Sequence, residues 1–508
     1  MASLPAIAQP RVVAQPAPPI TIGTTDFPLS LDPATAIDQP SWEILNHLYT
    51  GLTEQVSGTL DYDLALASQY EISSDGLQHT FTLRPSIAFD DGTPITAYTF
   101  VDSVNRVSAL GRAGAEFVNR YVAAVEAPDP STVRFTLNHP LPDFEALVGL
   151  PPFFPQHPDS YPPNDILDPQ LRDPALITNG PYRLQEYIPG VRITLSPNPD
   201  YTGEPTPQES IVIQQYSLPV DLAEALQAHE VDIAWRALVQ TDLETIRQNP
   251  ALITLEQPGL QMFYLLLNHN TITLNNQNSF DDPALRQAIS RLVDREATAE
   301  LGWDGFVDPA YTLLPSQFAS SVRFPAYDYA NADELLQEAG YRERRRTAST
   351  TLLISTDTYG DLLASAAAEL RRGIEQSKIF SIAGIQDSQT PTFINAVNRG
   401  EYLSAIIGWT PHFASPAAYL FALVHSSSPL PVNAAYTSAE LDRLLEQAGA
   451  ERDQAIRQAL YATVEQSLLD NLDIIPLWQG KHSVTYWDDI EGVVIEANGW
   501  LRYERLTR

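Results

Sequence analysis

The spacing of hydrophobic residues in the first third of the chain alternates between strand-like and helix-like periods. An apolar, β-branched run over 19–24 predicts a strand, and the apolar residues over 42–49 fall at helical spacing. The segment 68–95 has a period of two with Gly and Asp turns, which predicts a β-hairpin, and Thr96 is placed to cap a following helix. With another strand predicted over 133–137, this region resembles a small α+β domain.

A second pattern begins after a loop rich in proline and aspartate at 151–174, which we interpret as a domain boundary. Paired strands are predicted over 180–195, followed by a strand at 211–216, a helix at 222–229 and a strand at 231–235. This β–α–β order predicts an α/β layer with a right-handed crossover.

The C-terminal half repeats the alternation of strands and helices. Asp282 and Pro283 occupy the N-cap and first-turn positions of an amphipathic helix. The other elements predicted here are helices at 331–339, 361–376, 438–448 and 453–469, and strands at 262–267, 351–355, 379–385, 403–408 and 473–478. The sequence therefore predicts a second α/β body.

Charge and composition narrow the possible partners and chemistries. The 508 residues include 63 Asp and Glu against 30 Lys and Arg, a formal charge of −33, and no cysteine. The resulting field repels phosphate backbones, so we expect no nucleic-acid partner. The lack of cysteine excludes disulfides, thiolate nucleophiles and thiolate metal sites.

The sequence contains no apolar stretch that approaches the roughly 18 residues needed to cross a bilayer. The segment 1–19 is rich in Pro, Ala and Gln and lacks the basic end and apolar stretch of a signal peptide. We interpret it as an expression start joined to a flexible tether, and we expect that a native export signal has been removed.

Enzyme and metal signatures are absent from the sequence. We find no Gly-x-Ser-x-Gly, no phosphate loop, no Gly-x-Gly-x-x-Gly and no His-Glu-x-x-His. The nine histidines show no metal-ligand spacing, so we expect no metal and no cofactor. A carboxylate pair in a cleft would still allow a hydrolase, which stays open as an alternative.

Several sequence blocks, taken in order, resemble the family 5 solute-binding proteins, the peptide and nickel binders that deliver ligands to ABC importers. The hairpin signature ending in the Asp-Gly-Thr-Pro-Ile-Thr-Ala of 91–97 is the most specific block. The other similar blocks lie at 179–184, 198–201, 280–288, 293–296, 327–341, 408–416 and 476–478. The resemblance covers roughly residues 20–500.

The resemblance implies an α/β, two-lobed periplasmic-binding-protein-like fold of class II type with an inserted α+β domain. The implied organisation is a tether at 1–19, a discontinuous lobe 1 at 20–50, 171–262 and 476–508, an inserted domain at 51–170 and a lobe 2 at 263–475. Such lobes close over a ligand by a hinge motion.

The resemblance also implies a non-enzymatic binding component that captures an oligopeptide or peptide-like solute for an ABC permease complex. An oligosaccharide or other neutral polar solute, or a metal chelate, stays open as the ligand. We expect a monomer outside the inner membrane, periplasmic or cell-surface and lipid-anchored in the native precursor, because the tether would space a domain from a membrane.

One segment resembles the family loop that faces the ligand cleft. It supplies Trp409, Thr410, His412 and Phe413 as candidate ligand-binding residues. In peptide-binding members an Asp of this loop takes the α-ammonium of the ligand, whereas this chain has His412 and Ser415 at the corresponding positions. Because a buried ammonium without a carboxylate is costly, recognition of a free peptide N-terminus is in doubt.

Weaker candidates come from other segments expected to border the cleft. They are Thr24 and Asp26 after the first strand, Phe153 and Phe154 in the proline-rich loop, Tyr264 in a crossing strand, and Arg323. Asp26 could replace the missing carboxylate, and the alternative for it is an Asx turn.

Overall fold

The computed structural model describes residues 18–508 except 205, 237, 239, 270–278, 342–347, 379, 412 and 429–437. Its helices are α1 Gln39–Leu48, α2 Ala97–Leu110, α3 Ala113–Tyr121, α4 Phe144–Val148, α5 Pro219–Gln227, α6 Gln240–Ile246, α7 Pro283–Leu292, α8 Arg295–Gly302, α9 Tyr329–Glu338, α10 Thr356–Tyr359, α11 Leu362–Glu375, α12 Thr390–Arg399, α13 Pro416–Val424, α14 Ala439–Ala450 and α15 Gln454–Asn471.

The strands form one large sheet and two small ones. They are β1 Ile20–Thr24, β2 Thr53–Gln55, β3 Tyr62–Leu64, β4 Ala67–Ile72, β5 Gln78–Leu83, β6 Val122–Asp129, β7 Thr132–Leu137, β8 Tyr182–Ile188, β9 Arg192–Pro197, β10 Ile211–Gln215, β11 Ile233–Trp235, β12 Leu252–Leu267, β13 Val307–Pro309, β14 Ala348–Ile354, β15 Phe380–Asp387, β16 Ser404–Trp409 and β17 Ile474–Trp487.

The large sheet has eleven strands in the order β15-β14-β16-β12-β17-β11-β1-β10-β9-β8, with β13 paired to β17. At one end β1 lies between β10 and β11 and is parallel to both. The two strands of the predicted β–α–β unit, β10 and β11, are therefore not neighbours, because β1 lies between them. At the other end β14 is parallel to β15 and to β16.

Two long antiparallel strands, β12 and β17, connect the two ends of this sheet. Their first pairing places Leu252 opposite Trp487, and their last places Leu266 opposite Ile474. The register shifts between Pro258 and Met262, where the ladder is irregular. Such irregularities bend a strand. The chain thus crosses between two halves of the molecule at a bent segment of two paired strands.

The hydrophobic core divides at this crossing. One cluster of buried residues extends from Met262 to Trp478 and packs around β12, β14, β15 and β16. A second cluster combines Ile20 and other residues of the N-terminal half with C-terminal residues up to Leu506. We name the half built on the first cluster lobe 2 and the half built on the second lobe 1. The two-lobed α/β fold expected from the sequence is confirmed.

An antiparallel four-stranded sheet, β4-β5-β7-β6, forms the inserted α+β domain together with α2 and α3. Helix α2 begins as predicted at Thr96, which forms a capping box with Thr99, and it ends at Gly111 with φ 59°. The buried residues of this domain belong to the same cluster as lobe 1. The exact domain boundaries stay a prediction.

Most predicted elements are confirmed, including the predicted helices of lobe 2 and its strands. The elements that the sequence did not predict are α3, α4, α6, α8, α10, α12, α13, β2, β3, β6 and β13. Helix α13 is apolar on nearly every side, so it lacks the periodicity that marks an amphipathic helix. The first half of β12 also escaped prediction, because Pro258 and Gly259 read as a turn and only pairing with β17 extends the strand through them.

Candidate functional site

A cleft of about 350 Å³ lies where β12 and β17 cross between the lobes. Residues from lobe 1, the inserted domain, the crossing strands and lobe 2 all line it. They are Ile37, Gln39, Trp42, Tyr62, Leu150, Leu260, Gln261, Thr410, Pro411, Phe413, Ala414, His482, Asn498 and Trp500. This volume is within the range of small-molecule sites, and the position between two lobes is typical of them.

The crossing strands supply the residues nearest the hinge. Leu260 and Gln261 lie in the irregular part of β12, and His482 lies on β17 opposite Gln257. The two strands belong to both lobes at once. A change in the bend of this segment would therefore alter the cleft directly.

Two glycines make room for the imidazole of His482. A Cβ added at Gly259 would lie 2.7 Å from its Nε2, and one at Gly499 would overlap the ring as well. Gly499 also has a φ of +83°, which side chains rarely adopt. The imidazole is thus held between two stretches of backbone that no larger residue could form.

The His482 imidazole is held in its neutral form. Burial lowers its pKa to about 4, and the positive charge of Arg236 acts in the same direction. The Arg236 guanidinium is itself neutralised by Glu43, with Nη2 and Oε2 2.6 Å apart. Within the described part of the chain, the ring of His482 makes no side-chain hydrogen bond, so it has one donor and one acceptor to offer.

The described lining of the cleft contains no charged side chain, although 18% of the chain is charged. Three rings with a polar edge, those of Trp42, Tyr62 and Trp500, supply much of the wall. The amides of Gln39 and Gln261 supply neutral donors and acceptors. The arrangement suits a solute that has apolar surface and uncharged hydrogen-bonding groups.

A second, enclosed pocket of about 60 Å³ lies behind Tyr62 and Trp500, which line both pockets. Here Arg502 pairs with Glu496 at 3.0 Å and with Glu504 at 3.2 Å, and His47 lies 3.2 Å from Glu504. Burial alone would raise the pKa of Glu504, but His47 and Arg502 lower it to about 2. We name this pocket the charged junction, because the C-terminal segment, helix α1 of the same lobe and the inserted domain meet there.

The structure places two of the predicted loop residues, Thr410 and Phe413, in the cleft. Phe413 is 5% exposed and packs with lobe 1 and the inserted domain rather than with its own lobe. Its ring contacts Tyr121 of the inserted domain edge-on, with centroids 5.8 Å apart. The loop therefore reaches across from lobe 2 to the opposite half.

The neighbouring loop residues have different positions. Trp409 ends β16 and packs against the lobe 2 core, and its Nε1 is buried without a hydrogen-bond partner in the described chain. Ser415 caps α13 and donates a hydrogen bond to Asp143 of the inserted domain. His412 lies outside the described residues. Ser415 therefore ties the lobes together at the edge of the cleft.

Asp26 lines a separate groove in lobe 1, and Thr24, two residues before it, is buried. Asp26 lines a groove of about 570 Å³ together with Phe27 and Asp38, and none of the residues lining this groove lines the cleft. The Oγ1 of Thr24 accepts a hydrogen bond from the Asp26 N–H at 3.1 Å, so the two residues form a local turn. Asp26 does not supply a carboxylate to the described cleft.

The remaining candidates lie away from the cleft. Tyr264 is fully buried in lobe 2, and its hydroxyl donates to the carbonyl of Leu313 at 2.7 Å. Phe153 and Phe154 are buried in the core of lobe 1 and the inserted domain. Arg323 is exposed and lies over the ring of Tyr311. Packing and surface exposure account for these four residues.

Sequence reasoning missed most of the cleft lining, including Trp42, Tyr62, Gln261, His482 and Trp500. Gln261 lies three residues before Tyr264 on β12 and one residue outside the strand predicted at 262–267, and a binding role for Tyr264 stays a prediction. Gly480 and Gly499 flank His482 and Trp500, and glycines around a histidine and a tryptophan could have drawn attention to this segment.

The described residues offer neither a metal site nor a membrane-spanning helix. No three His, Asp or Glu side chains converge there in a way that would hold a metal ion. The helices in that part of the chain are all too short or too polar to cross a membrane.

Comparisons with known proteins place this geometry in context. A family model described as bacterial extracellular solute-binding proteins, family 5 Middle, matches residues 61–429. The probable D,D-dipeptide-binding periplasmic protein of Escherichia coli (strain K12) is 26% identical over 498 residues, covering 95% of this chain and 92% of that protein. Heme-binding protein A of Haemophilus influenzae is 25% identical, covering 91% and 87%.

Among solved structures, HbpA2 from Haemophilus parasuis superimposes with a TM-score of 0.83 at 21% identity, covering 96% of this chain and 99% of that one. A similarity at this level of identity establishes the fold.

Proposed function

This chain belongs to the family 5 bacterial extracellular solute-binding proteins, and we propose that it captures a peptide or peptide-like solute in the cleft between its lobes. Proteins of this family bind solutes for ABC importers and are not enzymes. The relative named for D,D-dipeptide binding, which matches nearly the whole chain, supports a peptide-like ligand.

The position of the cleft carries the proposal. It lies at the irregular crossing of β12 and β17, and both lobes contribute to its lining. A ligand bound there contacts both lobes, and these contacts favour the arrangement in which the lobes are closest. Binding then shifts the population toward the closed form by the difference in affinity for the two forms.

Equilibrium dialysis against a defined peptide pool tests this function. The pool contains tripeptides of Ala, Leu, Phe and Ser, made with free termini and with N-acetyl and C-amide termini, and mass spectrometry identifies what is retained. We expect retention of intact tripeptides without hydrolysis. Retention of none of them, or their cleavage, would contradict the proposed function.

Family membership supports a proposal for the partner and the location. We propose that the protein acts outside the inner membrane and delivers its solute to a permease complex in that membrane. We propose further that it is a monomer that binds no nucleic acid, and light scattering of the purified protein tests its oligomeric state. We also propose a lipid anchor on the native precursor, which metabolic labelling with a tagged fatty acid tests. Absence of label on the protein in its native host would refute the anchor.

A further inference from the structure

The uncharged lining of the cleft contrasts with the strongly acidic chain around it. None of the described lining residues is charged, while the chain as a whole carries a formal charge of −33. Arg236, whose positive charge acts on the pKa of His482, is paired with Glu43 and donates a second hydrogen bond to the Gly499 carbonyl at 3.1 Å. The charge of Arg236 is therefore already paired within the protein and does not serve a solute carboxylate.

A tripeptide is about 10 Å long when extended, so both of its termini lie within or at the mouth of a cleft of this size. A free terminus carries a full charge, and a buried charge without a partner is strongly disfavoured. The described lining offers no carboxylate for an ammonium and no cation for a carboxylate. Charged termini therefore weaken binding here.

The uncharged polar groups of the cleft lining are suited to hydrogen bonds with the amides or hydroxyls of a solute. His482 of β17 is clamped between Gly259 and Gly499, and its ring contacts Trp235 but makes no hydrogen bond among the described residues. A neutral imidazole offers one N–H donor and one acceptor nitrogen. Gln261, three residues from Pro258 on the adjacent strand, adds an amide with both functions.

Building on the proposed function, we propose that the cleft selects an uncharged solute segment, such as a peptide with blocked termini, and that His482 is its central hydrogen-bond partner. The aromatic rings of Trp42, Tyr62 and Trp500 cover the apolar face of the same segment. The same uncharged chemistry is also found in neutral oligosaccharides, and the experiment separates the two sources.

Calorimetry with matched probes tests the selection. The tripeptide pool is titrated in two forms, N-acetylated with C-terminal amides and with both termini free, and maltotriose is the third probe. We expect the capped peptides to bind at least about ten-fold more tightly than the free ones, since charged groups that are buried unpaired cost the most.

Equal or tighter binding of the free peptides would overturn the inference and leave the proposed peptide function intact. Binding of maltotriose alone would support an uncharged site and overturn the peptide function. The failures of the two proposals are thus distinguishable.

Variants at His482 test its role. His482→Leu is expected to weaken binding of the capped pool about three- to ten-fold, the loss of one hydrogen bond, and His482→Asn to retain part of it. His229→Asn is the matched control, because His229 lies outside the cleft and its ring stacks on Trp487. Unchanged affinity in a folded His482→Leu protein would overturn the assignment.

Thr410→Asp tests whether charge decides which peptides bind. Thr410 lies at the edge of the cleft, where a substitution disturbs the fold less. The new carboxylate is expected to improve binding of free-amine peptides and to reduce the preference for capped ones about ten-fold. A preference that does not change would contradict selection by charge.

Discussion

The charged junction and the cleft lie on opposite sides of one wall, formed by Tyr62 and Trp500, and they treat charge in opposite ways. The junction encloses about 60 Å³ and contains Arg502, Glu496 and Glu504 in paired contacts. The cleft is about 350 Å³ and its described lining is uncharged. Buried charge joins segments of the protein at the junction, and the described lining of the cleft contains none.

The physical reason is the cost of removing ions from water. A buried charge is tolerated when a fixed partner and additional hydrogen bonds accompany it, as in the junction. Glu496 illustrates this, because it accepts hydrogen bonds from Ser57 Oγ and the Gly58 N–H, both at 2.6 Å, besides its pairing with Arg502. A cleft that must empty and refill has no such permanent partner.

Breaking the junction should have the largest effect on stability. Arg502→Met removes the cation that pairs with Glu496 and Glu504, which are 2% and 7% exposed. We expect a loss of about 3–5 kcal/mol in the free energy of unfolding, measured by urea denaturation at pH 7.

Arg399→Met is the control for this variant. Its ion pair with Glu401 is 3.9 Å long, with both side chains more than 60% exposed, so we expect a change below about 0.5 kcal/mol. Equal effects of the two variants would mean that burial does not decide the value of these pairs.

A buried carboxylate that has no cationic partner among the described residues extends the same comparison. Glu465 of lobe 2 is 2% exposed and accepts a hydrogen bond from Ser320 Oγ at 2.8 Å, and burial raises its pKa from 4.5 to about 7. Between pH 4.5 and 7 the folded protein therefore binds more protons than the unfolded chain, and its stability falls as pH rises.

Glu465→Gln removes this titration. We expect the variant to be more stable than the parent above pH 7, by up to about 3 kcal/mol, and no more stable at pH 4. Thermal unfolding across pH 4–8 measures the difference. A constant offset at every pH would show that the carboxyl is not protonated in the fold.

A substitution at Trp500 alters the wall that Tyr62 and Trp500 form between the cleft and the charged junction. Trp500→Ala removes a ring that lines the cleft, and we expect the binding free energy of the capped tripeptide pool to weaken by about 2 kcal/mol. Trp487→Ala serves as a control, since Trp487 stacks on His229 and does not line the cleft. Equal weakening in both would indicate a general loss of structure.

The smallest effect expected is on the pH dependence of binding. Burial lowers the pKa of His482 to about 4, and the positive charge of Arg236 acts in the same direction. The affinity for the capped pool should therefore be constant between pH 5.5 and 8 when measured by calorimetry. A change centred near pH 6.5 would mean that the imidazole titrates as it does in water.

The sequence predicted the elements well where local pattern and structure agree. Helix α2 follows the capping signal at Thr96, and β1 follows its apolar run. The first half of β12 could not be predicted, because its pairing partner β17 lies more than 200 residues away and decides its conformation.

The cleft was predictable only where one segment contributes several residues. Sequence resemblance named Thr410 and Phe413 in the loop after β16, and the structure places both in the lining of the cleft, while their role in binding stays a prediction. Tyr62 comes from the inserted domain and His482 and Trp500 from the C-terminal segment, and each resembles an ordinary core or surface residue in the sequence. Only the fold brings these three residues together in the lining of the cleft.

Small-angle X-ray scattering tests the central claim, capture of a solute by closure of the lobes about β12 and β17. The account predicts that the radius of gyration falls when the protein is saturated with the capped tripeptide pool. It also predicts that folded His482→Leu shows this compaction only at higher peptide concentration. Calorimetric saturation with no change in the radius of gyration would contradict it.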